Sequence, residues 1–148
     1  MSHRRAPDGD ARRVYLAGPP FANEYRQRAS ELLRQLGCEP VDPMRRDFRG
    51  KTATHEAEIV EGDLADIDSC AAVLAAFTSP DEGTAMEAWY AHSRGTLVVA
   101  YTGGSPPHPW TVYVADAVCD GLEAAVQTLV DTILRGSFAG DSRPNHAV

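Results

Sequence analysis

Residues 71–77 read Ala-Ala-Val-Leu-Ala-Ala-Phe, a near-continuous apolar run that predicts a β-strand buried on both faces. Strands of this kind are typical of parallel sheets covered by helices on both sides. An earlier β-prone run, Arg13-Val-Tyr-Leu-Ala-Gly18, ends at Gly-Pro-Pro and predicts a second buried strand that stops at a sharp turn. Segments with helical periodicity follow both runs, so the sequence indicates strand–helix–strand units.

The remaining elements continue this alternation. Further strands are predicted over 38–42, 96–101 and 117–119, and helices over 23–36, 53–69, 82–93 and 122–134. The glycine- and proline-rich stretch 103–109 predicts turns. Right-handed crossovers then give an α/β fold, a doubly wound parallel sheet of four or five strands in a flavodoxin-like three-layer sandwich.

The bulk properties of the 148-residue chain limit the kinds of partner it can have. One domain is predicted over 13–135, between flexible polar tails at 1–12 and 136–148. The net charge of −7 is unsuited to nucleic acid or an anionic membrane, which favours a small-molecule ligand. Three cysteines without paired spacing, and no apolar run that could serve as a signal sequence or span a bilayer, predict a cytoplasmic protein with reduced thiols.

Motifs that would imply a cofactor or a metal are absent from the sequence. There is no Gly-x-Gly-x-x-Gly, no Gly-x-x-x-x-Gly-Lys and no Gly-x-Ser-x-Gly. His55-Glu-Ala-Glu-Ile59 lacks the second histidine of a helical zinc motif, and the acidic stretch from Asp63 lacks the glycine and distal glutamate of a calcium loop. The sequence therefore predicts chemistry that needs neither cofactor nor metal.

The position of the site follows from the fold class. Ligands of open α/β sheets bind beyond the carboxyl ends of the strands, so we expect the loops after Gly18, Phe77 and Tyr101 to hold the site. The turn at 17–21 lets backbone approach a flat ligand. Phe21 either lies against a base or packs in the core, and the sequence favours neither.

Two carboxylates are candidates for glycosidic chemistry, which passes through an oxocarbenium-like state and needs separate nucleophilic and acid groups. Glu87 lies in the first turns of a predicted helix, where the macrodipole favours its ionised, nucleophilic form. Asp63 is the candidate acid. For Asp81 and Glu82, helix capping alone is the favoured interpretation. The alternative for Asp63 is a solvated acidic helix face that it shares with Glu56, Glu58, Glu61, Asp66 and Asp68.

Three segments together resemble the nucleoside 2-deoxyribosyltransferase family. They are Val14-Tyr-Leu-Ala-Gly-Pro-Pro-Phe21, Asp63-Leu-Ala-Asp-Ile67 and Asp81-Glu-Gly-Thr-Ala-Met-Glu-Ala-Trp-Tyr-Ala91. The resemblance covers about residues 13–101. It implies a flavodoxin-like fold and a ping-pong reaction, in which a glutamate attacks the anomeric carbon, the base leaves and a second base accepts the sugar.

The same resemblance implies roles for individual residues. Glu87 matches the nucleophile, Tyr15 the tyrosine that orients it, Asp63 the aspartate that exchanges a proton with the base, and Asp81 the aspartate that holds the sugar 5′-hydroxyl. Together with Asp81, the predicted substrate-binding residues are Gly18, Phe21, Gly83, Thr84 and Arg26.

Three functions are consistent with this pattern. The first is transfer of a 2-deoxyribosyl group between nucleobases. The second is an N-glycosidase that gives the sugar to water, from a nucleoside or a nucleoside 5′-monophosphate. The third is a catalytically silent nucleotide-binding module, against which the complete set of four site residues argues.

Similar monophosphate hydrolases tend to carry serine at the position of Asp81, so the aspartate favours an unphosphorylated nucleoside. The groups that can meet a phosphate, unless they are merely solvated, are Arg26, Arg45, Arg46 and Arg49.

The resemblance also implies a homodimer or a larger homo-oligomer. The apolar stretch 110–118 is expected either to join the subunit interface or to pack in the core. Trp89 replaces a glycine of the family and is expected to narrow the pocket.

Overall fold

The computed structural model of the chain describes residues 11–46, 48 and 50–136. One sheet contains five strands: β1 (Arg13–Ala17), β2 (Glu39–Val41), β3 (Ala72–Ala76), β4 (Leu97–Tyr101) and β5 (Ala117–Cys119). The α-helices are α1 (Asn23–Gln35), α2 (Glu56–Asp68), α3 (Glu82–Ser93), α4 (Pro109–Val114) and α5 (Leu122–Arg135). Short 3-10 turns occupy Pro43–Arg45 and Thr52–Thr54.

The sheet is parallel throughout, in the order β2-β1-β3-β4-β5. Tyr15 of β1 is paired with Val41 of β2 on one side and with Val73 of β3 on the other. From β1 the chain moves outward to β2, then crosses back to β3 and continues in the opposite direction. The strand order therefore reverses between β1 and β3, which is where such sheets bind ligands. The predicted α/β fold with a five-stranded parallel sheet is confirmed.

Helices cover both faces of the sheet. On one face α1 and α5 enclose a core that includes Leu16, Leu74 and Leu129. On the other face α2, α3 and α4 pack over Tyr15 and Val73. Successive strand residues point to opposite faces, so Tyr15 of β1 lies beneath α2 and α3 while its neighbour Leu16 does not. This alternation places a phenol under the two helices that carry the candidate acids.

Two predicted segments differ from the structure. The helix predicted over 53–69 begins at Glu56, because Thr52–Thr54 forms a separate 3-10 turn. An unpredicted helix, α4, begins at Pro109, the last residue of the stretch predicted as turns, and continues to Val114. His108 caps α4, its Nδ1 accepting a hydrogen bond from the Trp110 amide at 3.2 Å. Six residues are too few to show helical periodicity, so the sequence pattern does not reveal this helix.

The predicted tails fall almost entirely outside the described residues, which include only Ala11, Arg12 and Gly136 of them. Across the parts of the chain that the structure does describe, none of the helices combines the length and apolarity needed to cross a membrane.

Candidate active site

A cavity of about 240 Å³ lies beyond the carboxyl ends of β1 and β3. Its wall is formed by the turn after β1, by the loop after β2, by one face of α2 and by the start of α3. Tyr15 lies beneath it, and Asp63, Asp81 and Glu87 all line it. The cavity is somewhat smaller than most small-ligand pockets, which measure about 300–1,000 Å³.

Tyr15 and Glu87 are joined by a short hydrogen bond beneath this cavity. The Tyr15 hydroxyl donates a hydrogen bond to Glu87 Oε2 at 2.6 Å. The phenol is fully buried, and burial together with the nearby Glu87 charge raises the pKa of Tyr15 far above its usual value. Tyr15 therefore remains a hydrogen-bond donor at any physiological pH and fixes one oxygen of Glu87.

Asp63 and Glu87 come from different helices, and their carboxyl groups are hydrogen-bonded to each other. Two carboxyl groups in contact cannot both be ionised without strong repulsion, so we expect the pair to hold one proton at neutral pH. Burial, opposed by the Tyr15 hydrogen bond and reinforced by Asp63, raises the pKa of Glu87 to about 8. Burial also raises the pKa of Asp63, although its contacts with Glu87 and Arg46 limit the increase.

This result corrects the expectation that the helix position keeps Glu87 ionised. Glu87 is the sixth residue of α3, beyond the first turn where the macrodipole acts strongly. Burial, which removes water from the carboxyl group, raises the pKa of Glu87 by more than this weak effect lowers it. At neutral pH the proton of the Asp63–Glu87 pair therefore resides on Glu87. An attack by this carboxylate would require that proton to leave first.

Asp81 caps α3 and also borders the cavity. Its Oδ2 accepts hydrogen bonds from the Thr84 amide at 2.9 Å and the Thr84 hydroxyl at 2.7 Å, which confirms the capping interpretation. Thr84 is thereby buried and held. The contacts of Asp81 among the described residues are all made by Oδ2, so Oδ1 remains for a ligand. Gly83 lies between the two residues on the same wall.

The turn after β1 is held from behind by Tyr25 and Arg26 of α1. A Cβ atom on Gly18 would lie 2.9 Å from Tyr25 Cε2, so only glycine fits this position. The Arg26 guanidinium, 3 % exposed, donates to the carbonyl oxygens of Gly18 at 2.5 Å and Pro19 at 2.6 Å. Its Nε also lies 3.4 Å from Asp42 Oδ1. Arg26 is therefore not a solvated group: it joins the turn after β1 to the loop after β2.

Phe21 lies away from this cavity. Its side chain is 77 % exposed and borders a separate, open depression beside α1. The loop after β2 supplies the apolar wall instead, through Met44 and Phe48, together with Ile59 of α2. Sequence reasoning placed the site in the loops after β1, β3 and β4, and it missed the loop after β2. A signal for this loop was available: β2 was predicted to belong to the same parallel sheet, and all carboxyl ends of a parallel sheet lie at one edge. The loop after β2 could therefore have been placed near the site.

The loop after β4 borders a neighbouring groove of about 890 Å³, which shares only Asp81 and Gly83 with the cavity. Trp89 does not narrow the cavity as expected. Its ring packs on the outer side of α3 against Trp110, with centroids 5.7 Å apart. Residue 89 follows Glu87 by two positions, which turns its side chain to another face of the helix.

The basic loop residues after β2 contact the acids of α2. Arg45 Nη2 donates to Asp66 Oδ1 at 2.9 Å, and Arg46 Nη2 lies 3.2 Å from Asp63 Oδ1 and 2.8 Å from Asp66 Oδ2. Asp63 and Asp66 therefore do not belong to a freely solvated acidic face, although Glu56, Glu58 and Glu61 are exposed. Arg49 lies outside the described residues.

Comparisons with known proteins agree with this fold and identify the family. The solved structure of a 2-deoxyribosyltransferase from the psychrotolerant bacterium Bacillus psychrosaccharolyticus is similar, with a TM-score of 0.66 and 19 % identity over 77 % of this chain and 90 % of that one. A conserved protein from Enterococcus faecalis V583 has a TM-score of 0.63 and 18 % identity, over 84 % and 98 % of the two chains. A search of curated proteins finds no match. The family model described as nucleoside 2-deoxyribosyltransferase matches residues 14–132. The chain is therefore a member of the nucleoside 2-deoxyribosyltransferase family, a family of enzymes.

Proposed function

We propose that this protein transfers a 2-deoxyribosyl group between nucleobases through a covalent sugar ester on Glu87. One observation carries the proposal: at the cavity, Glu87 is hydrogen-bonded to Tyr15 on one side and to a second carboxyl group, Asp63, on the other. This set contains a nucleophile, a group that orients it and a proton donor, which is what a retaining glycosyl transfer requires.

In the first half-reaction the shared proton leaves the carboxyl pair through Asp63 and is taken up by a nitrogen of the leaving base. The C1′–N bond breaks, and its electron pair remains on the base. Glu87, now ionised, forms a bond from Oε1 to C1′ while Tyr15 holds Oε2. In the second half-reaction a new base attacks C1′, Glu87 leaves as a carboxylate, and Asp63 takes up the proton that the incoming nitrogen loses.

The cavity wall indicates where the two parts of the substrate lie. Asp81 is at the rim, and its Oδ1 can accept a hydrogen bond from the sugar 5′-hydroxyl. Met44, Phe48 and Ile59 form an apolar surface against which a flat base can pack. Asp63 extends from the helix that carries Ile59, so a base at this wall has its nitrogen atoms near the proton donor.

A nucleoside suits this site better than a nucleoside monophosphate. The two arginines that line the cavity are both engaged: Arg26 by two carbonyl groups and Asp42, and Arg46 by Asp63 and Asp66. A phosphate at the rim would also lie beside the Asp81 carboxylate, which would repel it. Among the described residues, the cavity lining therefore offers no uncommitted cation for a phosphate.

Chromatography of reaction mixtures tests the proposed function. The full chain is incubated with 2′-deoxyribonucleosides or ribonucleoside monophosphates, each with and without a different free base. We expect a new nucleoside to form only when the acceptor base is present. Equal release of free base with or without acceptor, above all from a monophosphate, would instead identify an N-glycosidase and contradict both the acceptor assignment and the role given to Asp81.

Replacing Asp81 with serine separates its two roles. Serine is also a good N-cap, so the melting temperature should change little. Loss of the carboxylate should lower kcat/KM for 2′-deoxynucleosides by about 10- to 100-fold, the usual cost of a hydrogen bond to a charged group. Steady-state kinetics with a matched 2′,5′-dideoxynucleoside provides the control, because the variant and the wild type should use that substrate equally. Unchanged kinetics with the normal nucleoside would refute the role.

We also propose that the protein is a homo-oligomer whose interface includes the outer surfaces of α3 and α4. Met86 and Trp110 are 70 % and 66 % exposed there, and Trp89 and Val112 extend the same apolar surface. The Trp89 and Trp110 rings are in contact, with centroids 5.7 Å apart, and neighbouring exposed apolar side chains of this size favour a protein interface. Sedimentation equilibrium of the full chain should give a multiple of the 16.0 kDa subunit mass, and a constant monomer mass at every concentration would exclude the interface.

A further inference from the structure

Gly62 occupies the middle of α2, where glycine is unfavourable. In a helix interior it costs about 1 kcal/mol relative to alanine. A Cβ atom at this position would lie 3.0 Å from Arg46 Nη2 and 3.1 Å from Arg46 Nε. The absent side chain therefore leaves room for the Arg46 guanidinium to lie against the helix, and this close approach accounts for the glycine.

Arg46 reaches α2 beside the proposed proton donor. One nitrogen, Nη2, contacts Asp63 Oδ1 at 3.2 Å and Asp66 Oδ2 at 2.8 Å. Arg45, the preceding residue, contacts the other oxygen of Asp66 and none of Asp63. Burial would raise the pKa of Asp66, but hydrogen bonds from the two arginines lower it overall, so Asp66 is an ionised anchor for Arg46.

We propose that Arg46 is a positioning residue, which holds Asp63 against Glu87 and keeps their shared proton on Glu87 until a base enters the cavity. The effect of Arg46 on catalysis rests on the proposed function. The location of the proton before a substrate binds does not depend on it.

The physical reason is the sign of the charge next to Asp63. A guanidinium 3.2 Å from Oδ1 stabilises the Asp63 carboxylate, so the proton resides on the partner carboxyl group. When a base binds, the proton passes from Glu87 through Asp63 to the base nitrogen. Asp63 is then a carboxylate again, and the same guanidinium stabilises that product. Arg46 thus keeps Glu87 protonated before a substrate binds and makes Asp63 a stronger acid once the base is present.

Several other charged or titratable groups surround the carboxyl pair and remain in place when Arg46 is changed. They are Tyr15 of β1, Arg26 of α1, Arg45 of the loop after β2, Asp66 of α2 and Asp81 at the start of α3. Arg45 provides the matched control, because it has the same charge and shares Asp66 but does not touch Asp63.

Carbon-13 NMR of labelled carboxyl groups in the ligand-free full chain tests the proposal. At pH 7 the Glu87 side-chain carbon of the wild type should have the shift of a carboxylic acid. In Arg46→Met it should move toward that of a carboxylate, while Asp63 moves toward the acid. Arg46→Lys should restore part of the wild-type pattern, and Arg45→Met should keep it. An unchanged Glu87 titration in Arg46→Met, or an equal change in Arg45→Met, would overturn the proposal.

Kinetics provides the second readout. Arg46→Met should lower kcat by about tenfold with little change in KM, and should shift the alkaline limb of its pH profile upward by about one pH unit. An increase in KM alone, with no shift of the alkaline limb of the pH profile, would contradict a positioning role. If the protein catalyses neither transfer nor hydrolysis, the proposed function fails, yet the NMR titration still decides the location of the proton.

Discussion

We expect Glu87→Gln to abolish the proposed transfer, with kcat reduced by at least about 10⁴-fold, because an amide cannot form the sugar ester. Glutamine has the size of the native side chain and can still accept the Tyr15 hydrogen bond, which is 2.6 Å long in the wild type. The loss therefore reports on chemistry rather than on packing. Initial rates of nucleoside formation, followed by chromatography, measure the effect.

Intact-mass analysis gives direct evidence for the intermediate. Wild-type protein mixed with a 2′-deoxynucleoside and no acceptor should gain one deoxyribosyl group, which peptide mapping should locate on Glu87. Glu82→Gln is the matched control, since Glu82 is an exposed acid in the first turn of the same helix and does not line the cavity. An adduct in Glu87→Gln, or one located on another residue, would exclude Glu87 as the nucleophile.

Asp63→Asn lowers kcat/KM by about 10²- to 10⁴-fold for natural nucleosides, the usual contribution of general acid catalysis. Asparagine can still contact Arg46, but it cannot carry a proton to the base. The reduction should depend on the leaving group. A nucleoside whose base leaves readily without protonation should react with the variant almost as fast as with the wild type, and that comparison separates proton transfer from a general disturbance of the site.

The proposed proton transfer from Asp63 also predicts how the rate of the wild type depends on pH. The reaction needs the one proton of the Asp63–Glu87 pair, and that proton is lost near the Glu87 pKa of about 8. We therefore expect kcat/KM to be highest where the pair holds a single proton, to fall above this pH as that proton is lost, and to fall in acid as Asp63 becomes protonated as well. Asp66→Asn should keep an alkaline limb, since Asp66 contacts the arginines and not Glu87. A flat profile through pH 9 would show that the pair does not supply the proton.

Most of the fold was predictable from local patterns. The apolar run at 71–77 and the turn after Ala17 define β3 and β1, and alternation with helices then requires a parallel sheet. The same rule predicts that loops at the carboxyl edge hold the site. The short helix α4 was not predictable, because it depends on a histidine cap and a proline rather than on periodicity.

The candidate site was predictable as a set of residues but not as a set of ionisation states. Tyr15, Asp63 and Glu87 could be selected from three separate motifs, and the structure brings them together. Whether Glu87 is ionised depends on burial and on Asp63, neither of which appears in the local sequence. Phe21 was predicted at the cavity, but Phe48 lines it instead. The sequence could not show this, because tertiary contacts set the direction of a loop side chain.

The protonated carboxyl group beneath the cavity also affects how the fold responds to alkali. An acid that forms a salt bridge stabilises a protein as pH rises, whereas Glu87 has the opposite effect because its pKa is about 8 in the folded chain and near its usual 4.5 in the unfolded one. Its contribution to the free energy of unfolding is complete below pH 4.5 and decreases steadily as pH rises to about 8. We therefore expect this contribution to favour tolerance of heat and denaturant in mild acid, and the same side chain would limit the proposed reaction in alkali.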